Sequence, residues 1–271
     1  MNYKDEIKAV AFDFDGTLID FNYNATDYTR TALKKLNENG YKVCLSSGRP
    51  CFMAKRAFVE KFPECELDYV FGCNGSELMD VKKNETTILY PLSAEQIRYI
   101  GKVLDNDFLT VGIYEGENFL VNQIRDSEQL RVWMEARKIS PTLFDYSSNS
   151  VDRSKVIVVN DKEDREKEIE FISKVDLSDF SCFYSSPYCF EIAPKGVSKA
   201  KSCEKLAELL NCHMDQILSF GDMENDMPML LCTTGVIMDN ASDELKAQIP
   251  LHTSAVDKLG VYDFLSKNGL I

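Results

Sequence analysis

Lys8–Phe14 reads KAVAFDF and runs on into Asp15-Gly16-Thr17-Leu18. A short apolar run that ends in acid and then glycine is a buried strand meeting a turn, because it is too short for a helix. An extended chain has a period of two, so Asp13 and Asp15 share a face if the strand continues through them. Gly16 then lets the backbone turn sharply. Seen alone, the same residues also suit an Asp-rich loop that caps the next helix.

The flanking sequence favours the strand. Asn24–Glu38 places Tyr28, Ala32, Leu33 and Leu36 at helical spacing, and Gly40 stops it. Tyr41–Leu45 (YKVCL) is a second strand, followed by Ser46-Ser47-Gly48-Arg49-Pro50. Cys51–Phe62 is helical and ends at Pro63; Tyr69–Phe71 is a third strand, and Asn74-Gly75 marks a turn. Strands and helices alternating at this spacing build a parallel sheet with right-handed crossovers.

The middle of the chain differs. Strands are expected at Thr86–Tyr90, Phe108–Tyr114, Asn118–Asn122, Lys155–Val159 and Phe180–Tyr184. Helices are expected after Ser93, which opens a capping box with Gln96, over Ser127–Lys138, and over Lys162–Val175. Pro141 to Asp152, rich in Ser and Asn, reads as a loop. The first pattern returns with a helix over Val197–Leu210, a strand over Ile217–Phe220, a helix over Glu224–Leu231 and a strand over Gly235–Met238. Helical pieces at Ser242–Ile249 and Val256–Lys267 complete it. The expected architecture is α/β: a doubly wound, mostly parallel sheet from residues 1–83 and 188–271, with an inserted α/β domain over 84–187.

Composition narrows the function. The 271 residues carry 31 basic and 44 acidic side chains, a formal net charge of −13. That balance argues against a nucleic-acid partner, which needs clustered Lys and Arg. No apolar run approaches the roughly 18 residues of a membrane span, and the N-terminus does not read as a secretory signal. Nine cysteines, none in a Cys-x-x-Cys pair, support neither a disulfide framework nor a zinc site; they read as reduced core thiols of a cytoplasmic protein. With only His213 and His252 available, a metal site here uses oxygen ligands, and Mg²⁺ is the expected ion.

Three polar clusters follow apolar runs directly: Asp13 to Thr17, Ser46 to Arg49, and Gly221 to Asp226. In an open parallel sheet, ligands bind at the carboxyl edge, where residues just past the strands gather. The second cluster offers hydroxyls and main-chain N–H groups near a helix start, which suits an anion, although a plain Ser cap looks alike. In the third, Asp222 and Asp226 stand four apart at a helix start and face the same way. Two such carboxylates repel each other unless a divalent cation lies between them; an acidic helix terminus is the simpler alternative.

Together these stretches resemble the haloacid dehalogenase superfamily, and most closely its Cof-type phosphatases, which carry a large α/β cap. The matching stretches are Val10–Leu18, Val43–Pro50, Glu191–Lys199 and Phe220–Leu230, followed by Met238-Asp239-Asn240-Ala241. The resemblance implies a haloacid-dehalogenase-like core, a cap over the inserted region, and a Mg²⁺-dependent phosphatase of small phosphorylated metabolites such as sugar phosphates. It implies Asp13 as nucleophile and Asp15 as acid and base. It implies metal binding by Asp13, the main-chain carbonyl of Asp15, Asp222 and Asp226. Ser47, Gly48, Lys199 and Asn225 would hold the phosphoryl group, with Arg49 and Asn74 on the substrate side. Ser46 competes with Ser47, and Lys195 with Lys199; the Gly-Arg-Pro and Gly-Val-Ser-Lys frames favour Ser47 and Lys199. Asp239 stands where relatives often have Gly, which adds an acid near the site. A sugar phosphomutase, or a catalytically silent phosphate-binding regulator, are the alternative functions. A monomer or small homo-oligomer is expected.

Overall fold

A computed structural model describes residues 3–186 and 188–271. The strands in chain order are β1 (Ala9–Phe12), β2 (Lys42–Ser46), β3 (Tyr69–Gly72), β4 (Glu77–Asp80), β5 (Glu85–Ile88), β6 (Thr110–Glu115) and β7 (Asn118–Val121). They continue as β8 (Pro141–Leu143), β9 (Val156–Val159), β10 (Phe180–Ser186), β11 (Cys189–Pro194), β12 (Ile217–Gly221), β13 (Thr234–Met238) and β14 (Leu251–Thr253). The chain divides into two compact units, one running to Thr87 and resuming over Ser198–Ile271, the other spanning Ile88–Val197.

The first unit holds an eight-stranded sheet in the order β14-β13-β12-β1-β2-β3-β4-β5. From β14 to β3 all neighbours are parallel; β4 then turns back antiparallel on β3. β1 lies at the centre, pairing Phe12 with Phe220 on one side and with Leu45 on the other. Alternate strand residues Val10, Phe12, Val43, Leu45, Leu218, Phe220, Val236 and Met238 form one core with Leu33 and Leu36, Phe58, and Phe264 and Leu265. Those partners lie on helices Asp27–Glu38, Cys51–Lys61 and Val261–Lys267. Burying each large apolar side chain contributes about 1.5–3 kcal/mol, and the Phe12 and Phe220 rings stack with centroids 5.2 Å apart.

Residues of the other parity meet different helices. Ser46 bonds Ser202 on helix Lys199–Leu210 at 3.1 Å. Gly235 faces the backbone of Leu230 on helix Met227–Cys232 so closely that a Cβ would lie 2.1 Å from the Leu230 carbonyl oxygen. Helices therefore cover both faces, and the sheet is doubly wound as the alternation of elements anticipates.

The second unit is a six-stranded sheet ordered β10-β11-β9-β6-β7-β8, antiparallel except between β7 and β8. Its core gathers Ile97, Ile100, Val111, Ile113, Val156, Val158, Phe190 and Ile192. The capping box forms: Ser93 Oγ accepts from the Gln96 N–H at 3.2 Å, and Gln96 Oε1 from the Ser93 N–H at 2.9 Å. Residues 141–152 are not all loop, because β8 and a single helical turn at Tyr146–Ser148 lie within them. β11 is buried along its whole length and pairs with β9 and β10, so this unit extends beyond residue 187, which itself lies outside the described residues. Among the described residues, no helix is long and apolar enough to cross a membrane.

Candidate active site

The chemistry-bearing residues stand just past the ends of β1, β2, β3, β12 and β13. The main-chain N–H of Asp13 still bonds Phe220 O at 2.9 Å, which extends the parallel ladder one residue beyond β1. The chain then turns. Gly16 has φ +90°, and a Cβ there would sit 2.2 Å from Asp222 Oδ2, so only glycine lets the two loops approach this closely.

Asp13, Asp222 and Asp226 are buried, and each offers a carboxylate oxygen within 4.8 Å of the others. Lys199 is wholly buried; its ammonium contacts Asp13 Oδ1 and donates to Asp226 Oδ1 at 2.6 Å. Asp226 is also pinned by its other oxygen, which accepts the main-chain N–H groups of Asp222 and Met223 at 2.9 Å each. Were all three carboxylates ionised, the one ammonium would leave two negative charges in a space shielded from water. Burial pushes Asp13 well above its ordinary value, only partly countered by Lys199, and Asp226 and Asp222 add to the rise. Burial and then Asp226 push Asp222 up to about 7. Burial works against the charge of Lys199, but Asp13 and Asp226 outweigh it and hold the ammonium above its ordinary value. Hard oxygen donors whose ionisation burial opposes fit a divalent cation, which would supply the missing positive charge.

Two residues that the sequence reading assigned no role hold Asp222. Thr17 Oγ1 donates to Asp222 Oδ1 at 3.0 Å, and Asn240 Nδ2 donates to Asp222 Oδ2 at 3.1 Å and to Gly16 O at 2.9 Å. Asn240 Oδ1 in turn accepts from the Val256 N–H at 3.0 Å. The signal for Asn240 was its place just past an apolar strand; Thr17 lay inside the first cluster.

The other expected residues form a second group. Asp15 accepts two bonds from Arg49, at 2.8 Å from Nε and 2.6 Å from Nη2. Asp13 and Asp15 thus engage different partners. Ser47 Oγ accepts from the Arg49 N–H at 3.2 Å, and Ser47 O from the Asn74 N–H at 2.9 Å. Asn74 Oδ1 accepts from Asn225 Nδ2 at 3.2 Å and packs beside Gly48. Cys73, Asn74 and Gly75 all have positive φ, a left-handed turn that holds the Asn74 side chain between the Ser47 and Asn225 loops. The competing candidates stand elsewhere: Ser46 bonds Ser202, and Lys195 donates to Ser178 O at 2.7 Å within the second unit. Asp239 lies 3.6 Å from the Lys246 ammonium, which offsets its extra charge.

The family model for haloacid dehalogenase-like hydrolases matches residues 10–265. Curated proteins of comparable length are similar. The 5-amino-6-(5-phospho-D-ribitylamino)uracil phosphatase YcsE of Bacillus subtilis is 27% identical over 89% of this chain and 87% of its own. The HMP-PP phosphatase of Serratia proteamaculans is 27% identical over 90% and 88%. Among solved structures, a haloacid dehalogenase-like hydrolase from Bacteroides thetaiotaomicron superposes with a TM-score of 0.85 at 23% identity, covering 96% of this chain and 99% of that one. This chain belongs to the haloacid dehalogenase-like hydrolases, as the stretches around Asp13, Ser47, Lys199 and Asp222 anticipate.

Proposed function

We propose that this phosphatase of the haloacid dehalogenase superfamily hydrolyses small phosphorylated metabolites in a Mg²⁺-dependent reaction through an aspartyl-phosphate. One observation carries the reading: three buried carboxylates lie within 4.8 Å of one another at the carboxyl edge of a parallel sheet, and a buried ammonium contacts two of them. The two named relatives act, by their names, on phosphorylated compounds of low molecular weight, which supports the substrate class.

In this mechanism Asp13 Oδ attacks phosphorus, and the bond from phosphorus to the leaving oxygen breaks in line. Asp15 gives its proton to that oxygen. A water molecule then attacks the phosphorus of the aspartyl-phosphate, Asp15 takes the water's proton, and inorganic phosphate leaves with Asp13 restored. Lys199, Ser47, Gly48 and Asn225 hold phosphoryl oxygens, with Arg49 and Asn74 on the leaving-group side. Asp13, Asp222, Asp226 and the main-chain carbonyl of Asp15 would hold Mg²⁺, which supplies charge neutralisation between two anions that must meet. Thr17 and Asn240 keep Asp222 oriented for that task. Residues 88–197 serve as the cap that selects the leaving group. Nine free cysteines, with Cys182 exposed, suit a reducing compartment such as the cytoplasm.

The test is a screen of phosphorylated metabolites for released phosphate, with Mg²⁺, with EDTA, and with Asp13→Asn. Phosphate release that needs both the cation and Asp13 supports the reading. Full activity in EDTA, or in the Asp13→Asn chain, would overturn it.

A further inference from the structure

The loop that follows the first cluster is wound around one side chain. Asp20 Oδ1 accepts the main-chain N–H groups of Asn22 at 2.9 Å and Asn24 at 2.7 Å, and Asp20 Oδ2 accepts from Asn24 Nδ2 at 3.2 Å. The Tyr23 N–H closes the turn on Asp20 O at 3.0 Å. This winding drives Tyr23 to φ +67°, a conformation that residues with bulky side chains seldom adopt. The position therefore calls for a compensating interaction, and one is present. The Tyr23 hydroxyl accepts a hydrogen bond from Arg49 Nη1. The ring centroid lies 5.0 Å from the Arg49 guanidinium carbon and 5.1 Å from the Lys61 ammonium. The Phe14 ring lies 5.3 Å from the same guanidinium.

Arg49 thus has its fork divided: Nε and Nη2 hold both oxygens of Asp15, and Nη1 is tied to Tyr23. Each Asp15 oxygen spends one lone pair on the fork and keeps another for a proton. The orientation of those remaining lone pairs follows the orientation of the guanidinium plane, which without Tyr23 is held by Phe14 and Asp15 alone.

We propose that Tyr23 is a positioning residue which, through Arg49, aims the carboxyl group of Asp15 at the leaving oxygen. The inference rests on the phosphatase reading above and adds a residue to it. It makes leaving-group basicity the decisive variable, because proton delivery matters most when the departing oxygen is a strong base.

The experiment compares kcat/KM, which reports the step that expels the leaving group, on 4-nitrophenyl, phenyl and 4-methoxyphenyl phosphate for the wild-type chain, Tyr23→Phe and Tyr23→Gly. Tyr23→Phe keeps the ring and loses the hydroxyl; Tyr23→Gly removes both and suits the positive φ, which guards against failure to fold. Both variants should lose about tenfold more kcat/KM on the methoxyphenyl ester than on the nitrophenyl ester, a fraction of what a general acid contributes. A loss equal across the three esters, or no loss, overturns the role of Tyr23. A wild-type chain inert toward all three overturns the phosphatase reading, and the role of Tyr23 with it.

Discussion

Each unit of this chain buries a lysine against carboxylates, and the two lysines are placed in contrasting company. In the second unit Lys155, just before β9, and Glu191 on the neighbouring strand β11, 4% and 8% exposed, meet at 2.8 Å. The charges of this contact, one ammonium and one carboxylate, balance each other. In the first unit Lys199 serves two of three clustered acids, so full ionisation of the cluster would leave a double negative charge. Burial is equally severe in both places, so burial alone does not separate a structural ion pair from a reactive centre. Charge balance does. A fold gains nothing from an uncompensated buried charge, and such an excess is relieved only by a proton, a ligand or a cation.

The contrast is most exposed by changes on its two sides. Asp13→Asn should lower turnover by about 10⁴-fold or more, while Glu191→Gln leaves turnover on 4-nitrophenyl phosphate within about twofold, below the tenfold that about 1.4 kcal/mol represents. Steady-state kinetics decides this, and comparable losses from both would erase the distinction. Next in size is stability. Lys155→Met leaves Glu191 buried alone and should cost about 3–5 kcal/mol in urea unfolding, and replacing both partners by apolar residues should recover most of it. Lys199→Met has no such rescue by a single second substitution, because two acids depend on that ammonium.

A smaller effect distinguishes the acids themselves. Asp222 is raised in the folded state from 3.8 to about 7, so the fold favours its protonated form. Its support is complete below the unfolded value and is lost as pH rises through about 7. Without metal at pH 8, Asp222→Asn should therefore be more stable than wild type by about 0.5–2 kcal/mol, and the gap should narrow as pH falls and close below about pH 4. Saturating Mg²⁺, at about 100 times its Kd, should stabilise wild type by about 2.7 kcal/mol and Asp222→Asn far less. Thermal unfolding at the two pH values, with and without Mg²⁺, reads both effects.

Much of this was written in local sequence. Apolar runs ending in Asp13, Ser47 and Asp222 announced parallel strands with reactive carboxyl ends, and the capping box at Ser93 formed as read. What escaped did so for definable reasons. β4, β8 and β14 span three or four residues, too few for periodicity to register. β11 is buried on both faces, so it lacks alternation, and its Glu191 looks like surface until Lys155 is found beside it. The turn of Asp15 toward Arg49 could not be read from the spacing of Asp13 and Asp15, because the extended chain stops between them. Tyr23 was invisible because its role depends on a positive φ imposed by Asp20 three residues earlier.

Asn240 offers the finest test of what sets the three-acid cluster apart. Glu191 needs no outside orientation, since its partner fixes it directly. Asp222 has no cation of its own; Thr17 and Asn240 aim its two oxygens, and Asn240 is itself fixed by the Val256 N–H. Groups that orient a metal-binding carboxylate typically influence metal affinity by 10- to 100-fold. Asn240→Ala should accordingly weaken Mg²⁺ binding about tenfold in calorimetry, with kcat at saturating Mg²⁺ changed less than the affinity. Asn240→Asp should weaken it differently, because a fourth acid beside Asp222 restores an oxygen but removes the donor. If both substitutions leave the affinity intact, Asp222 is oriented by its own main chain and by Thr17 alone. The reactive cluster would then be closer in kind to the Lys155–Glu191 pair than its charge suggests.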